Sequence, residues 1–340
     1  MTETKEATLP VAPRNDETGS RIWAVIAALA SAVFFGGNAV ASKVLYAPSP
    51  SPRFDAVSLF VARGVWMLPL FLALALLTRP KHLPRLSWKD AGLFVGCGIA
   101  FGPGACALSA LGASATSASH AVLLLSLFPP LAAGLAALLL RERLAPVRIL
   151  AIVIGVLGAS TLTLSKTTGG ATPTGDLLIG GFIFAWALLT LGIRKLNRSY
   201  PPLFVVGVFG TLGSVMLALL GVPLGQLDAA LIPLRHFDMR TIIWFDLEII
   251  LLLSLVGQLL QGIALRALNV ALVAALTSYG SIVAGLVASF LILGERLSVG
   301  DLVASGFLVT AVALSLVPET LFHIRDGAVG RLLSRHKGED

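Results

Sequence analysis

Eight polar or aromatic side chains interrupt long apolar runs in this 340-residue chain: Asn38, Arg63, His120, Ser126, Trp186, Gln258, Gln261 and Tyr279. A polar group in a hydrocarbon surrounding costs free energy, so each placement asks for a reason. Arg63 is the most costly. Its guanidinium could hold an anionic group or gate a passage, or it could cap carbonyls of neighbouring helices. His120 is the one histidine inside an apolar run, and imidazole changes charge in the range of roughly pH 5 to 8, which suits proton coupling. The bland alternative is a packed, satisfied histidine. Gln258 and Gln261 are three apart, on one face of a helix. Amides both donate and accept, which suits a polar or zwitterionic ligand, and they equally suit helix-to-helix bonding. Asn38, Ser126, Trp186 and Tyr279 fall near the middle of their runs. Together with the glutamines they could line an amphipathic pocket.

The same residues permit a second chemistry. Ser117 is three residues before His120, and Ser126 is near it, so a serine–histidine hydrolase inside a membrane is conceivable. No Asp or Glu lies mid-run to orient the imidazole. Asp246 and Glu248 sit at the end of a run, beside Trp244. The absent carboxylate relay favours a facilitated or His-assisted mechanism. There is no Walker loop, no HExxH and no CxxC, so neither a cofactor nor a metal is expected. The glycines of "GLFVGCGIAFGPG" (92–104) pair as Gly92–Gly96 and Gly98–Gly102, spacings that let helices approach closely. Gly102-Pro103-Gly104 predicts a break or bend there.

The elements that position these residues follow from composition. Hydrophobic residues make up 56% of the chain and charged residues 13%, far from the balance of a soluble domain. Mean hydropathy is +0.89. The chain is an all-α integral membrane protein by this reading. Its partners are then the lipid bilayer and a small-molecule substrate. The net charge of +7 reflects loop lysines and arginines, and no basic run is interleaved with aromatics as nucleic-acid binding would need. Cys97 and Cys106 are nine residues apart in one run, roughly 13 Å along a helix, too far for a disulfide.

Ten stretches have the length for a crossing: 22–46, 55–78, 90–111, 116–140, 146–165, 176–196, 202–221, 243–267, 270–293 and 299–318. Residues 1–21 and 319–340 read as cytoplasmic tails. The segment 222–242 is too polar to cross and suits the membrane interface. With both termini in the cytoplasm, 18 Lys and Arg residues fall inside and 6 outside, a strong positive-inside bias.

One motif occurs twice. Residues 138–144 read "LLLRERL" and 291–297 read "LILGERL", 153 positions apart. Each closes one apolar run and opens the next, so each reads as a hairpin signal. The chain divides into five-helix units at 22–165 and 176–318. A unit with five crossings reappears upside down, and inverted repeats about a midplane site are a recurring plan of secondary transporters.

These features resemble the drug/metabolite transporter superfamily, and the EamA-type branch most. "SASHAVLLLSLFPPLAAGLAALLLRERL" (117–144) is similar to the helix-four signature, and "LFVARGV" (59–65) places Arg63 at the helix-two arginine. The second half has Ile282-Val283 where the first has Pro129-Pro130, and helix one has Phe35-Gly36 where the family often has Trp-Gly. The resemblance implies ten helices in two inverted repeats, alternating access and export of small metabolites, amino acids first, from a bacterial inner membrane. A drug or nucleotide-sugar carrier is the alternative. A drug carrier predicts a greasier cavity, and a nucleotide-sugar carrier predicts several basic residues facing it.

Overall fold

The computed structural model describes residues 15–46, 54–81, 86–140, 146–164, 172–232, 239–246, 256–268, 270–295 and 298–315. These residues form helices and turns, with no strand among them. In chain order the helices are α1 (Asn15–Tyr46), α2 (Ala56–Leu77), α3 (Trp88–Ile99), α4 (Leu108–Ala115), α5 (Ala118–Leu124), α6 (Phe128–Leu140) and α7 (Pro146–Leu164). The second half holds α8 (Pro173–Leu196), α9 (Pro202–Gly221), α10 (Met239–Asp246), α11 (Val256–Ala267), α12 (Val270–Ala288) and α13 (Val299–Ser315). Among the described residues, seven helical runs are long and apolar enough to cross a membrane: Ile22–Tyr46, Ala56–Leu77, Trp88–Ala115, Ala118–Leu139, Pro173–Leu196, Pro202–Gly221 and Leu272–Leu293. Two shorter apolar helices, Ile149–Gly158 and Leu302–Ala311, accompany them.

Local sequence explains where these helices start. Asp55 and Ser58 form a reciprocal capping box: Ser58 N donates to Asp55 Oδ1 at 2.6 Å and Asp55 N to Ser58 Oγ at 2.8 Å. Ser87 caps α3, Ser117 caps α5, and Thr172 caps α8 just before Pro173. Gly294, in the second "GERL", adopts a left-handed φ of 67° and stops the helical run that continues from α12. The Arg-Glu-Arg-Leu of the first copy (141–144) lies outside the described residues, as do Glu248, Arg296, residues 1–14 and the tail 319–340, whereas residues 15–21, expected in the N-terminal tail, belong to α1.

The expected bend at Gly102-Pro103-Gly104 takes a particular form. Helix α3 does not break. It widens into a π-helical stretch over Ala100–Ala107 and runs on into α4. Proline lacks an N–H and crowds the preceding turn, and a wider turn accommodates both. Cys97 and Cys106 are buried and unbridged, as their spacing requires.

A second proline effect shapes the path. Between α5 and α6 the chain tightens into a 3-10 turn, Leu125–Leu127, just before Pro129-Pro130. Pro129 cannot donate to the carbonyl four residues back, on Leu125. That carbonyl instead accepts from Ser278 Oγ of α12 at 3.1 Å.

Packing runs across the two halves. Helix α2 lies on α9, α7 on α13, and α6 on α12. Helix α1 packs on α11 and α12, and correspondingly α8 packs on α4 and α6. Small residues permit the closest crossings. A Cβ on Gly36 would stand 2.9 Å from the Gly285 amide nitrogen, and one on Gly213 of α9 would stand 3.0 Å from the Gly102 nitrogen. So Gly98–Gly102 does seat against another helix. Gly92–Gly96 does not: a Cβ at either meets nothing within 4 Å, which corrects the packing expected of that pair. Within 222–242, a 3-10 turn at Leu227–Leu231 rests on α2, and α10 brings Phe245 onto Phe54 with ring centroids 5.4 Å apart.

Candidate functional site

The cavity at the junction of the halves is built around Trp186. Its lining comes from α1 (Phe35), the turn at Leu125 with Phe128, α8 (Ile183, Trp186) and α12 (Thr277, Ser278, Ser281). Phe35 meets Trp186 edge-on at a centroid distance of 4.3 Å. Phe182 and Phe128 approach the same indole at 5.0 and 6.2 Å. Such edge and offset contacts hold the indole in one orientation. The space is about 10 Å³, room for about one water and too small for a metabolite.

The polar atoms at this centre divide into engaged and unengaged. Ser278 donates to Leu125 O, and Ser281 donates to Ala32 O at 2.9 Å, so both hydroxyl protons serve helix packing. Trp186 Nε1 donates to Gln261 Oε1 at 3.3 Å. Thr277 Oγ1 lines the cavity and is buried with no hydrogen-bond partner among the described residues; Gln261 Nε2, on the amide bonded to Trp186, and Gln258 Oε1, one turn away on α11, are likewise unpartnered but are not lining residues. Buried polar atoms are ordinarily paired, and those left over are groups a bound molecule could satisfy. None of the residues lining the cavity carries a charge.

The structure thus unites Trp186 with Gln261, and it adds Phe35, Phe128, Thr277, Ser278 and Ser281. Those five gave no signal in the sequence, because aromatics and small hydroxyls are ordinary filler of apolar helices. Asn38 lies one turn beyond Phe35 on α1, buried, with Oδ1 unpartnered among the described residues. Ser126 is buried and donates to Leu123 O at 2.6 Å, back into its own turn. The Tyr279 side chain lies outside the described residues.

Arg63 is fully buried, and its named contacts do not reach the cavity. Nη1 donates to Cys106 O at 3.1 Å and to Ser109 Oγ at 3.4 Å, while Nη2 donates to Ser42 Oγ at 3.0 Å. These bonds join α1, α2 and the α3–α4 rod. These three named partners belong to the first half.

His120 does have a carboxylate partner, contrary to expectation. Its Nδ1 donates to Asp176 Oδ2 at 3.2 Å, and both side chains are almost wholly buried. Thr116 Oγ1 donates to the other oxygen, Asp176 Oδ1. Asp176 stands in the first turn of α8, where the helix end favours a negative charge. In the sequence it reads as the edge of an apolar run. The signal that could have found it is an acid opening one crossing and a histidine opening another at the same membrane face. Ser117 Oγ accepts the His120 backbone N–H at 3.1 Å as a helix cap, and the Ser126 hydroxyl points into its own turn. Both serines thus serve helix structure, which leaves the hydrolase reading without a positioned nucleophile.

At the other end of α8 the halves meet again. Tyr200 OH donates to Asp90 Oδ2 at 3.3 Å. Burial first, then the Asp90 charge and hydrogen bond, push the Tyr200 phenol above its ordinary value.

Comparison with known proteins decides the family. The EamA-like transporter family matches residues 22–164 and again residues 173–317. The chain belongs to the EamA-like transporter family. It is therefore a multi-pass membrane protein of the drug/metabolite transporter superfamily, with a small-molecule cargo. A solved structure titled "Crystal structure of protein" is 18% identical, with 87% of this chain and 97% of that one covered at a TM-score of 0.54. That likeness concerns the fold alone. No curated protein matches.

Proposed function

We propose that this EamA-like protein is a secondary transporter that moves small amphipathic metabolites by alternating access, with the Trp186 chamber as its binding site. The observation that carries the reading is the chamber itself: aromatic walls, the unengaged Thr277 hydroxyl, an indole bonded to Gln261 and no charged lining, at the junction of two matching halves. Every major helix contact crosses between the halves. Exchanging the halves maps α2 onto α9, α7 onto α13, and the neighbours of α1 onto the neighbours of α8. That pattern supports ten crossings in two inverted five-helix repeats, since units of odd crossing number must invert. The positive-inside bias supports cytoplasmic termini and places the α8 start at the outer face.

The lining also ranks the cargo. A nucleotide sugar carries phosphates that would need cations, and none faces the chamber. An amino acid with an aromatic or large apolar side chain could set its body on Trp186 and Phe35 and turn its polar end to Gln258 and Gln261. A drug-like amphipath fits the greasy walls as well, and this lining favours it over any sugar conjugate. Export is the direction the family resemblance suggests. The Arg63 contacts support a structural stitch over a gate.

The test is flux into and out of proteoliposomes for labelled phenylalanine, leucine, a neutral aromatic amphipath and a nucleotide sugar. Saturable flux of an amphipathic solute that falls at least about tenfold in Trp186→Ala is the expected result. Background flux for the whole panel in both directions, with and without a pH gradient, would overturn the reading.

A further inference from the structure

One five-residue segment of the first half grips two carboxylates of the second. Thr116 Oγ1 and His120 Nδ1 take the two oxygens of Asp176. Immediately beside them, Ala118 N donates to Glu295 Oε1 at 3.1 Å, and Ser119 donates to Glu295 Oε2 twice, from N at 2.8 Å and from Oγ at 2.7 Å. Glu295 is the acid of the second "GERL". It does more than mark a hairpin: it reaches back onto the start of α5, 177 residues earlier. The α8 start is bound to the same place, since Thr172 Oγ1 donates to Ala115 O at 2.6 Å.

We propose that Thr116–His120, Asp176 and Glu295 form a clasp that closes one mouth of the translocation path, and that the proton on His120 sets how firmly the clasp holds. The proposal rests on the transporter reading only for where the mouth leads. Opening that mouth must part α5 from α8 and from the end of α12, and these are the bonds that cross the parting. With His120 protonated, parting separates an imidazolium from a carboxylate, and charge-assisted bonds of this kind are about twice as strong as neutral ones. With His120 neutral, one weaker bond is lost. The clasp is therefore firm below the pH at which His120 titrates and loosens above it. The charged groups facing the segment are Asp176 on α8, Glu295 beyond α12, and Lys43 on α1, which lies within electrostatic reach of Glu295. Helix α4 carries no ionisable side chain; the side chains of Tyr279 on α12 and Asp301 on α13 lie outside the described residues.

The position of the pair separates gating from coupling. Asp176 and His120 sit at the starts of α8 and α5, one end of the helix bundle. A proton bound there enters and leaves by the mouth it closes. The pair therefore acts as a latch responsive to the medium on that side.

Hydrogen exchange of the full chain in lipid nanodiscs tests this. Exchange of the 116–124 peptide is read against that of α9 in the same molecule, which cancels the intrinsic pH effect. Between about pH 5.5 and about pH 8.5 the relative protection of 116–124 should fall roughly tenfold in the parent and stay flat in His120→Gln. Glu295→Gln should lower it roughly tenfold at both pH values while keeping the pH dependence. A parent that shows no pH dependence, a His120→Gln variant that keeps it, or a Glu295→Gln variant within about twofold of the parent overturns the proposal. If α9 loses protection too, that variant has unfolded, and Ser119→Ala replaces it. Loss of one donor should cost roughly threefold, and no loss is refutation. A second readout follows the mouth. A Thr277→Cys thiol in the chamber should react with a membrane-impermeant maleimide about tenfold faster at the higher pH, normalised to denatured protein, and equally at both in the His120→Gln background. A purely structural pair would move neither readout. Neither needs a substrate, so an absence of transport bears on the proposed function and leaves the clasp to be judged by exchange and labelling.

Discussion

Replacing Arg63 by methionine distinguishes a stitch from a gate. The guanidinium donates to Ser42 Oγ, Cys106 O and Ser109 Oγ. Each acceptor keeps another bond when it goes: Ser42 Oγ donates to Asn38 O at 3.0 Å, and Ser109 Oγ donates to Cys106 O at 3.1 Å. No acceptor is orphaned. Breaking a buried ion pair costs about 3–5 kcal/mol because a partner charge is stranded, and these three acceptors carry none. A bond to a charged group contributes about 1.5–3 kcal/mol, and part of that returns because a charge is no longer held away from water. Methionine fills most of the stem volume. The expected loss is therefore about 1–3 kcal/mol for Arg63→Met. Arg63→Lys should be no better, and worse if anything. It keeps the buried charge but loses the fork that reaches three acceptors. Reversible unfolding in mixed dodecyl sulfate and maltoside micelles, followed by circular dichroism, measures both. A methionine variant that loses more than about 5 kcal/mol, or a lysine variant clearly more stable than it, refutes this reasoning. Transport abolished in Arg63→Met with stability within about 1 kcal/mol of the parent would restore the gate.

Two further outcomes follow from the same structure. Gly36→Ala should destabilise by about 1–3 kcal/mol, because its Cβ would press on the α12 backbone, whereas Gly92→Ala should stabilise by roughly 0.5–1 kcal/mol, its Cβ meeting nothing within 4 Å. Melting temperatures in one detergent compare them, and equal signs would refute the packing assignment. Tyr200 is held above its ordinary value, so the folded state prefers the neutral phenol. Its stabilisation is present below about pH 10, where an unfolded tyrosine titrates, and is lost as pH rises through the folded value. Melting scans from about pH 8 to 11 should show the parent falling relative to Tyr200→Phe, and parallel curves would refute it.

The sequence made some of this legible and hid the rest for definite reasons. Trp186, Gln258 and Gln261 stood out by contrast with their apolar neighbours, and the structure places Trp186 and Gln261 in contact. Their partners did not stand out, because Phe35, Thr277 and Ser281 match the composition around them. The pattern small-xxx-small fits Gly92–Gly96 and Gly98–Gly102 equally, but spacing defines a helix face without saying what meets it. Only Gly98 and Gly102 look toward α9. Pro103 announced a distortion and could not say that it would be a π-helical stretch. Asp176 was invisible as a partner of His120 because the two are 56 residues apart and nothing local links them. Pro129 had a consequence that no local rule contains: the carbonyl it frees is taken up by Ser278, on a helix 153 residues away.

Among the described residues, the two ends of α8 are tied to the first half by different bonds. At the α8 start, two carboxylates receive five donated bonds across the halves, two of them from backbone amides at the start of α5. At the α8 end, a Tyr200–Asp90 bond of 3.3 Å crosses between the halves, backed by aromatic contacts of Tyr200 with Phe94 and Phe204. Both ends thus use bonds to carboxylates, and among the described residues the α8 start has more of them. A space of about 10 Å³ holds about one water, so a metabolite would need the lining to part. Under the proposed transport reading, the five bonds at the α8 start are those that must break to open that mouth, and the proton on His120 adjusts how firmly they hold.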